Sequence, residues 1–150
     1  MSQSLEFLEN KCERWMKQQY VRYALGIKLY ERRTTRDTSG RFNRSMIAKL
    51  WTRTALAVNI PVPPVPGVFV QTWDFGTLLN GTDTSTTCTS AGLPAYQIII
   101  PVSEVFWDPP IVRGVPVIGT HFATSPAAVT ATHFTVDLYL IQQAALDAER

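Results

Sequence analysis

The sequence predicts an α+β chain: an N-terminal long helix plus a shorter helix, a Pro-rich strut, and a C-terminal antiparallel β-sandwich. Three observations point there. Residues 1–53 hold 12 Lys/Arg against 5 Asp/Glu, a net of +7, whereas residues 54–150 hold 2 against 7, a net of −5. Apolar residues in the first part recur at spacings of three and four, and in the second they alternate between turn signals. Four prolines between positions 61 and 66 separate the two textures. The net charge of +2 over 150 residues is therefore the near-cancellation of two unlike halves. The expected divisions are a basic α-helical anchor or oligomerisation segment over 1–58, a linker over 59–67, a sandwich over 68–141 and a tail over 142–150.

The long helix is read over residues 4–31. Leu5, Leu8, Cys12, Trp15 and Met16 begin an apolar stripe that Tyr20, Tyr23, Ile27 and Tyr30 continue. Ser2 or Ser4 can cap its start, and Glu6 suits the positive end of the helix dipole. At roughly 1.5 Å per residue such a rod is about 42 Å long. It needs a partner surface, either its own domain or other copies. Leu8, Trp15, Tyr23 and Ile27 are the expected assembly face.

The stretch 32–44, RRTTRDTSGRFNR, places turn formers around Ser39-Gly40 among Arg32, Arg33, Arg36, Arg41 and Arg44. These five arginines are the expected partner-docking residues. Arginine over lysine favours directed hydrogen bonds to carboxylates or phosphates, so an acidic protein surface and nucleic acid are both candidate partners, with nucleic acid the less favoured. The alternative is a solvated face and a polar loop. A shorter helix is read over 45–57 from Met46, Ile47, Leu50, Trp51 and Thr54. After it, Pro61, Pro63, Pro64 and Pro66 favour an extended strut.

Beyond Gly67, strands are read over 68–75, 96–102, 111–120 and 129–141. Asn80-Gly81, Asp108-Pro109-Pro110 and Ser125-Pro126 supply the turns. In the last strand Phe134, Val136, Leu138 and Leu140 face one way, and Thr135, Asp137 and Tyr139 the other, with His133 beside them. Strands without intervening helical periods favour an antiparallel sandwich over a parallel sheet.

The same residues bound the chemistry. His121 and His133 lie 12 residues apart, and no nearby Cys or carboxylate pair completes a metal-ligand set. There is no nucleophile elbow and no Gly-rich phosphate loop. The expectation is therefore a non-enzyme with no cofactor. Two cysteines, Cys12 and Cys88, match no redox or metal spacing. The uncharged run from Gly114 to Val136 contains Pro116, Pro126 and many threonines, which makes it a poor membrane span.

Tyr96-Gln-Ile-Ile-Ile-Pro-Val-Ser-Glu-Val-Phe-Trp-Asp-Pro-Pro-Ile-Val resembles H-type lectin domains, in which an apolar strand leads to Phe, a short gap and Pro-Pro. Ala128-Val-Thr-Ala-Thr-His-Phe-Thr-Val-Asp-Leu-Tyr-Leu resembles the family's strand carrying Val-Thr before Phe-Thr-Val. The resemblance covers under a third of the chain. It implies a small six-stranded antiparallel sandwich that assembles as a trimer or hexamer and binds sugars between protomers. Trp107, His133, Asp137 and Tyr139 are the candidate sugar contacts. The chain departs from the pattern after Ile141, where Gln-Gln-Ala-Ala replaces an aromatic final strand.

The layout as a whole is similar to small bacteriophage virion proteins used as decoration, neck or tail components. It implies a homo-oligomer docked on other virion proteins, assembled in the host cytoplasm, with no membrane partner. The alternatives are a carbohydrate-binding host-attachment module and a nucleic-acid-binding protein.

Overall fold

The structure is a computed structural model that describes residues 4–18, 20–53, 67–117 and 123–148. It is a mixed α/β fold with antiparallel sheets. In chain order come helix α1 (Leu5–Met16), strands β1 (Tyr23–Arg36), β2 (Phe42–Thr52) and β3 (Phe69–Asp74), and a 3-10 turn (Pro94–Tyr96). Then follow β4 (Gln97–Pro101), the single turn α2 (Val102–Val105), β5 (Ile111–Val112), β6 (Val115–Pro116), β7 (His133–Asp137) and helix α3 (Leu138–Asp147).

The expected helix over 4–31 stops at Met16, and β1 replaces its second half. Ser4 caps the start, its hydroxyl accepting from the Phe7 amide at 3.1 Å. The misreading has a cause. Tyr23, Ile27 and Tyr30 satisfy helical spacing, but Tyr23, Leu25, Ile27 and Leu29 also alternate. Gly26 and the small Ala24 lie between them on the face that α1 covers. Strand pairing takes that alternation: Tyr23 faces Thr52 and Leu29 faces Met46 across an antiparallel register. Leu8, Trp15, Tyr23 and Ile27 thus share no helix face. Leu8 approaches Gly26, Trp15 is exposed, and Tyr23 and Ile27 pack into the opposite core.

The shorter helix expected over 45–57 is instead β2, as far as the described residues reach. Ser45 to Ala48 are all buried, because β2 is the central strand and both of its faces are covered. A strand buried on both sides reads as an unbroken apolar run, which periodicity alone cannot separate from a helix.

The three-stranded sheet has the order β1-β2-β3, so it crosses the expected boundary between the basic segment and the C-terminal part. The Pro-rich linker lies outside the described residues except for Gly67. On one face, Ala24, Trp51 and Val68 pack with Cys12 and Met16 of α1. On the other, Met46, Ala48 and Leu50 pack with Ile98 of β4, Leu138 and Leu146 of α3, and Phe75 and Cys88. The β4–β7 pair runs from Gln97 opposite Asp137 to Pro101 opposite His133.

Within 68–141, then, the described strands do not pair into one antiparallel sheet system of their own: β3 joins β2, while β4–β7 and β5–β6 are separate two-stranded pairs. The strand expected over 111–120 is, as far as the described residues reach, a short hairpin, Ile111 opposite Pro116 and Val112 opposite Val115. The strand expected over 129–141 is β7, which ends where Asp137 caps α3 by accepting from the Tyr139 amide at 3.0 Å. Helix formers over 138–147 win there, although Leu138 and Leu140 prolong the strand's alternation by coincidence.

Gly76 fixes how the chain leaves the sheet. A β-carbon there would stand 2.3 Å from the Arg44 carbonyl oxygen and 2.6 Å from the Met46 nitrogen, so only glycine lets the loop lie against β2. The Thr77 hydroxyl and amide then continue pairing to Arg44, each at 2.9 Å.

Candidate functional site

The β1–β2 hairpin carries the five arginines singled out from the sequence. Asp37 shapes its turn, accepting from the amides of Ser39 and Arg41 at 2.9 Å each and from Arg41 Nε at 3.0 Å. Gly40 supplies the left-handed position, with φ 79°. Burial works to raise the Asp37 pKa, but hydrogen bonds from the Arg41 amide and side chain, the Arg41 charge and the Ser39 amide together lower it.

On the ribbon, the Arg36 and Arg32 guanidiniums sit 3.7 and 4.7 Å from the Phe42 ring centre. Stacking of this kind orients an arginine without neutralising it. Arg44 stands opposite Arg32 and donates to the Tyr30 carbonyl. Among the described residues no ion pair joins Arg32, Arg33 or Arg36 to a carboxylate. The sequence located these five residues; the structure places them on a β-ribbon and its turn rather than beside a helix.

Arg36 and Arg41 also line an open cleft of about 480 Å³ between the ribbon turn and α3. Tyr139, Gln142, Gln143, Ser85, Thr86 and Thr89 form much of its far side. The side chains behind it are chained together. Arg41 Nη1 donates to Gln143 Oε1 at 2.6 Å, Gln143 Nε2 to Gln142 Oε1 at 2.8 Å, and Gln142 Nε2 to the Phe75 carbonyl at 2.7 Å. Arg41 Nη1 also lies 3.6 Å from Asp147 Oδ1.

A second cavity, about 320 Å³, lies between the start of β1 and the α2 turn. Arg22 and Glu104 form an ion pair at 2.7 Å, each side chain only 12% exposed, and the Arg22 guanidinium lies 5.1 Å from the Trp107 ring centre. Tyr20, Tyr23 and Val105 complete the wall. Together with Arg41–Asp147, this pair joins the basic part to the acidic part within one chain. Attraction between the basic and acidic parts is thus met in part inside the chain.

The four candidate sugar contacts are not brought to one cavity. Trp107 belongs to the second cavity and Tyr139 to the first. Asp137 caps α3 and also accepts from the Gly92 amide at 2.7 Å, and exposed His133 meets Thr132 at 3.0 Å. His121 lies outside the described residues. Among the described residues no three His, Cys, Asp or Glu side chains cluster as metal ligands.

Sequence reasoning missed Arg22, Glu104, Asp37, Gln142 and Gln143. Gln142-Gln143 had a usable signal, a polar pair within an otherwise apolar helical run, since a buried amide requires partners. The Arg22–Glu104 pair had none, being 82 positions apart.

A different surface is apolar. The β5–β6 hairpin leaves Ile111 63%, Val112 57% and Val115 50% exposed. Arg113, at φ 52°, and Gly114 form its tip. No helix of the described residues is long and apolar enough to cross a membrane. Compared with known proteins, the chain matches no family model, no curated protein and no solved structure, so none of these comparisons supports the lectin-like or phage-like resemblance.

Proposed function

We propose that this chain is a non-enzymatic structural component of a bacteriophage particle, a decoration, neck or tail protein that works by assembling with copies of itself. The observation that carries the assembly reading is the apolar β5–β6 hairpin. An isolated two-residue pairing is marginal in water, and this one exposes three β-branched side chains at half or more of their surface. A second copy covers it, as a trimer or a hexamer.

The arginine ribbon supports docking on a larger, acidic particle protein. Arg32, Arg33 and Arg36 form no ion pair among the described residues, while stacking on Phe42 orients Arg32 and Arg36. Support for the phage setting is the layout: an Arg-rich first part, a Pro-rich segment and a Thr-rich second part. The antiparallel sandwich belongs to this reading too, as packing of the β4–β7 pair over β2.

Light scattering on the intact protein across a hundredfold concentration range tests the proposal. The expected result is a trimer or hexamer that Val112→Asp converts to monomer without loss of circular dichroism. A monomer at every concentration would end it. Tight, salt-sensitive binding to random DNA would reassign the ribbon to nucleic acid.

A further inference from the structure

We propose that the cleft between the β1–β2 turn and α3 is a binding site for an acidic saccharide, a sugar unit bearing a carboxylate. The cleft lies within one chain, so the inference stands apart from self-assembly. Its volume, about 480 Å³, falls in the usual range for small-molecule sites, roughly 300–1,000 Å³.

Its lining selects the ligand class. Apolar ligands seek apolar walls, yet here the wall is built chiefly of hydroxyl, amide and charged groups. Such a surface matches a solute with many hydroxyls, each able to donate and accept. Arg41 is engaged by two carboxylates, Asp37 at 3.0 Å and Asp147 at 3.6 Å, whereas Arg36 also lines the cleft and joins no carboxylate among the described residues. Arg36 is the group that favours an anion. A guanidinium recognises a carboxylate through paired parallel N–H donors, which gives orientation as well as attraction. Tyr139 supplies the one aromatic ring, an amphipathic surface for a sugar face.

The site is also preorganised. Arg41 spends two of its five N–H donors on Asp37 and Gln143, and Gln143 is tied through buried Gln142 to the Phe75 carbonyl of the core. Arg36 is held by Phe42 and by the Gly40 carbonyl, which it meets at 2.5 Å. Fixing both arginines beforehand lowers the entropy lost when a ligand binds.

Calorimetric titration of the full chain with trigalacturonate, neutral maltotriose and sodium sulfate tests this. The expected result is binding of trigalacturonate in the low-millimolar range or tighter. Maltotriose should bind at least roughly tenfold more weakly, and sulfate should not compete at matched ionic strength. Arg36→Gln should weaken trigalacturonate binding about tenfold. Ser85→Trp, at an exposed rim position, should fill the cleft and abolish it, while Arg33→Gln, on the same ribbon but outside the lining, should bind like the intact protein. The proposal is overturned if trigalacturonate does not bind, if maltotriose or sulfate matches it, or if both Arg36→Gln and Ser85→Trp bind it unchanged.

Discussion

The two hairpins of this molecule solve exposure in opposite ways. The β1–β2 hairpin is anchored at its base in the three-stranded sheet, and its outer end presents arginines stacked on Phe42. It is charged, so it is content in water. The β5–β6 hairpin has two-residue strands, pairs with no other sheet among the described residues, and presents Ile111, Val112 and Val115. Exposed charge is compatible with a free chain, whereas clustered exposed β-branched side chains call for a cover. The first hairpin belongs to the fold, and the second, in the proposed function, to an assembly.

The largest expected effect breaks the anchored hairpin at its base. Gly76→Ala forces a β-carbon onto β2 backbone atoms that no side-chain rotation can relieve, and should cost about 4 kcal/mol or more in urea unfolding. Next comes the link between the two parts of the chain. Arg22→Ala leaves Glu104 largely buried beside Trp107, and should cost about 2 kcal/mol, somewhat less than a fully buried pair because water still reaches both groups.

A third effect depends on pH. Asp137 has its pKa lowered below 3.8, first by the Gly92 amide and then by amides of α3, against an opposing effect of burial. A carboxylate lowered on folding stabilises fully above its unfolded value, and that contribution is lost as pH falls through the lowered folded value. Asp137→Asn keeps a capping oxygen and should therefore flatten the acid limb of stability below about pH 4, whereas Asp137→Ala removes the cap and should cost about 1 kcal/mol at neutral pH.

The smallest effects sharpen the contrast. Arg32→Gln with Arg33→Gln should shift unfolding by under about 0.5 kcal/mol, since neither side chain joins an ion pair among the described residues. Burial pushes the Cys88 thiol up to about 11, with the Asp137 charge adding to it, so a neutral-pH alkylating reagent should leave Cys88 unmodified until the chain unfolds.

Legibility in the sequence followed how many sides of an element are buried. Val68 to Phe75, Tyr96 to Val102 and the Asn80-Gly81 turn are read correctly in kind, and β3, β4 and a turn with Gly81 at φ 76° stand there. These elements are flanked by strong turn formers. Residues 20–31 and 45–53 are misread because the strand period and the helical spacing share Tyr23 and Ile27, and because β2 is covered on both faces. At the cleft, the arginines were visible in composition. Their convergence with Gln142, Gln143 and Tyr139 was not, because Arg41 and Gln143 are 102 positions apart.

Amide hydrogen exchange over residues 108–117, followed at low and high protein concentration, tests the assembly role of the β5–β6 hairpin most directly. Covered by a second copy, the Val117 amide, which donates to the Pro110 carbonyl at 2.9 Å, should slow markedly as concentration rises, along with its neighbours. Exchange in this segment that is fast and independent of concentration would contradict the account.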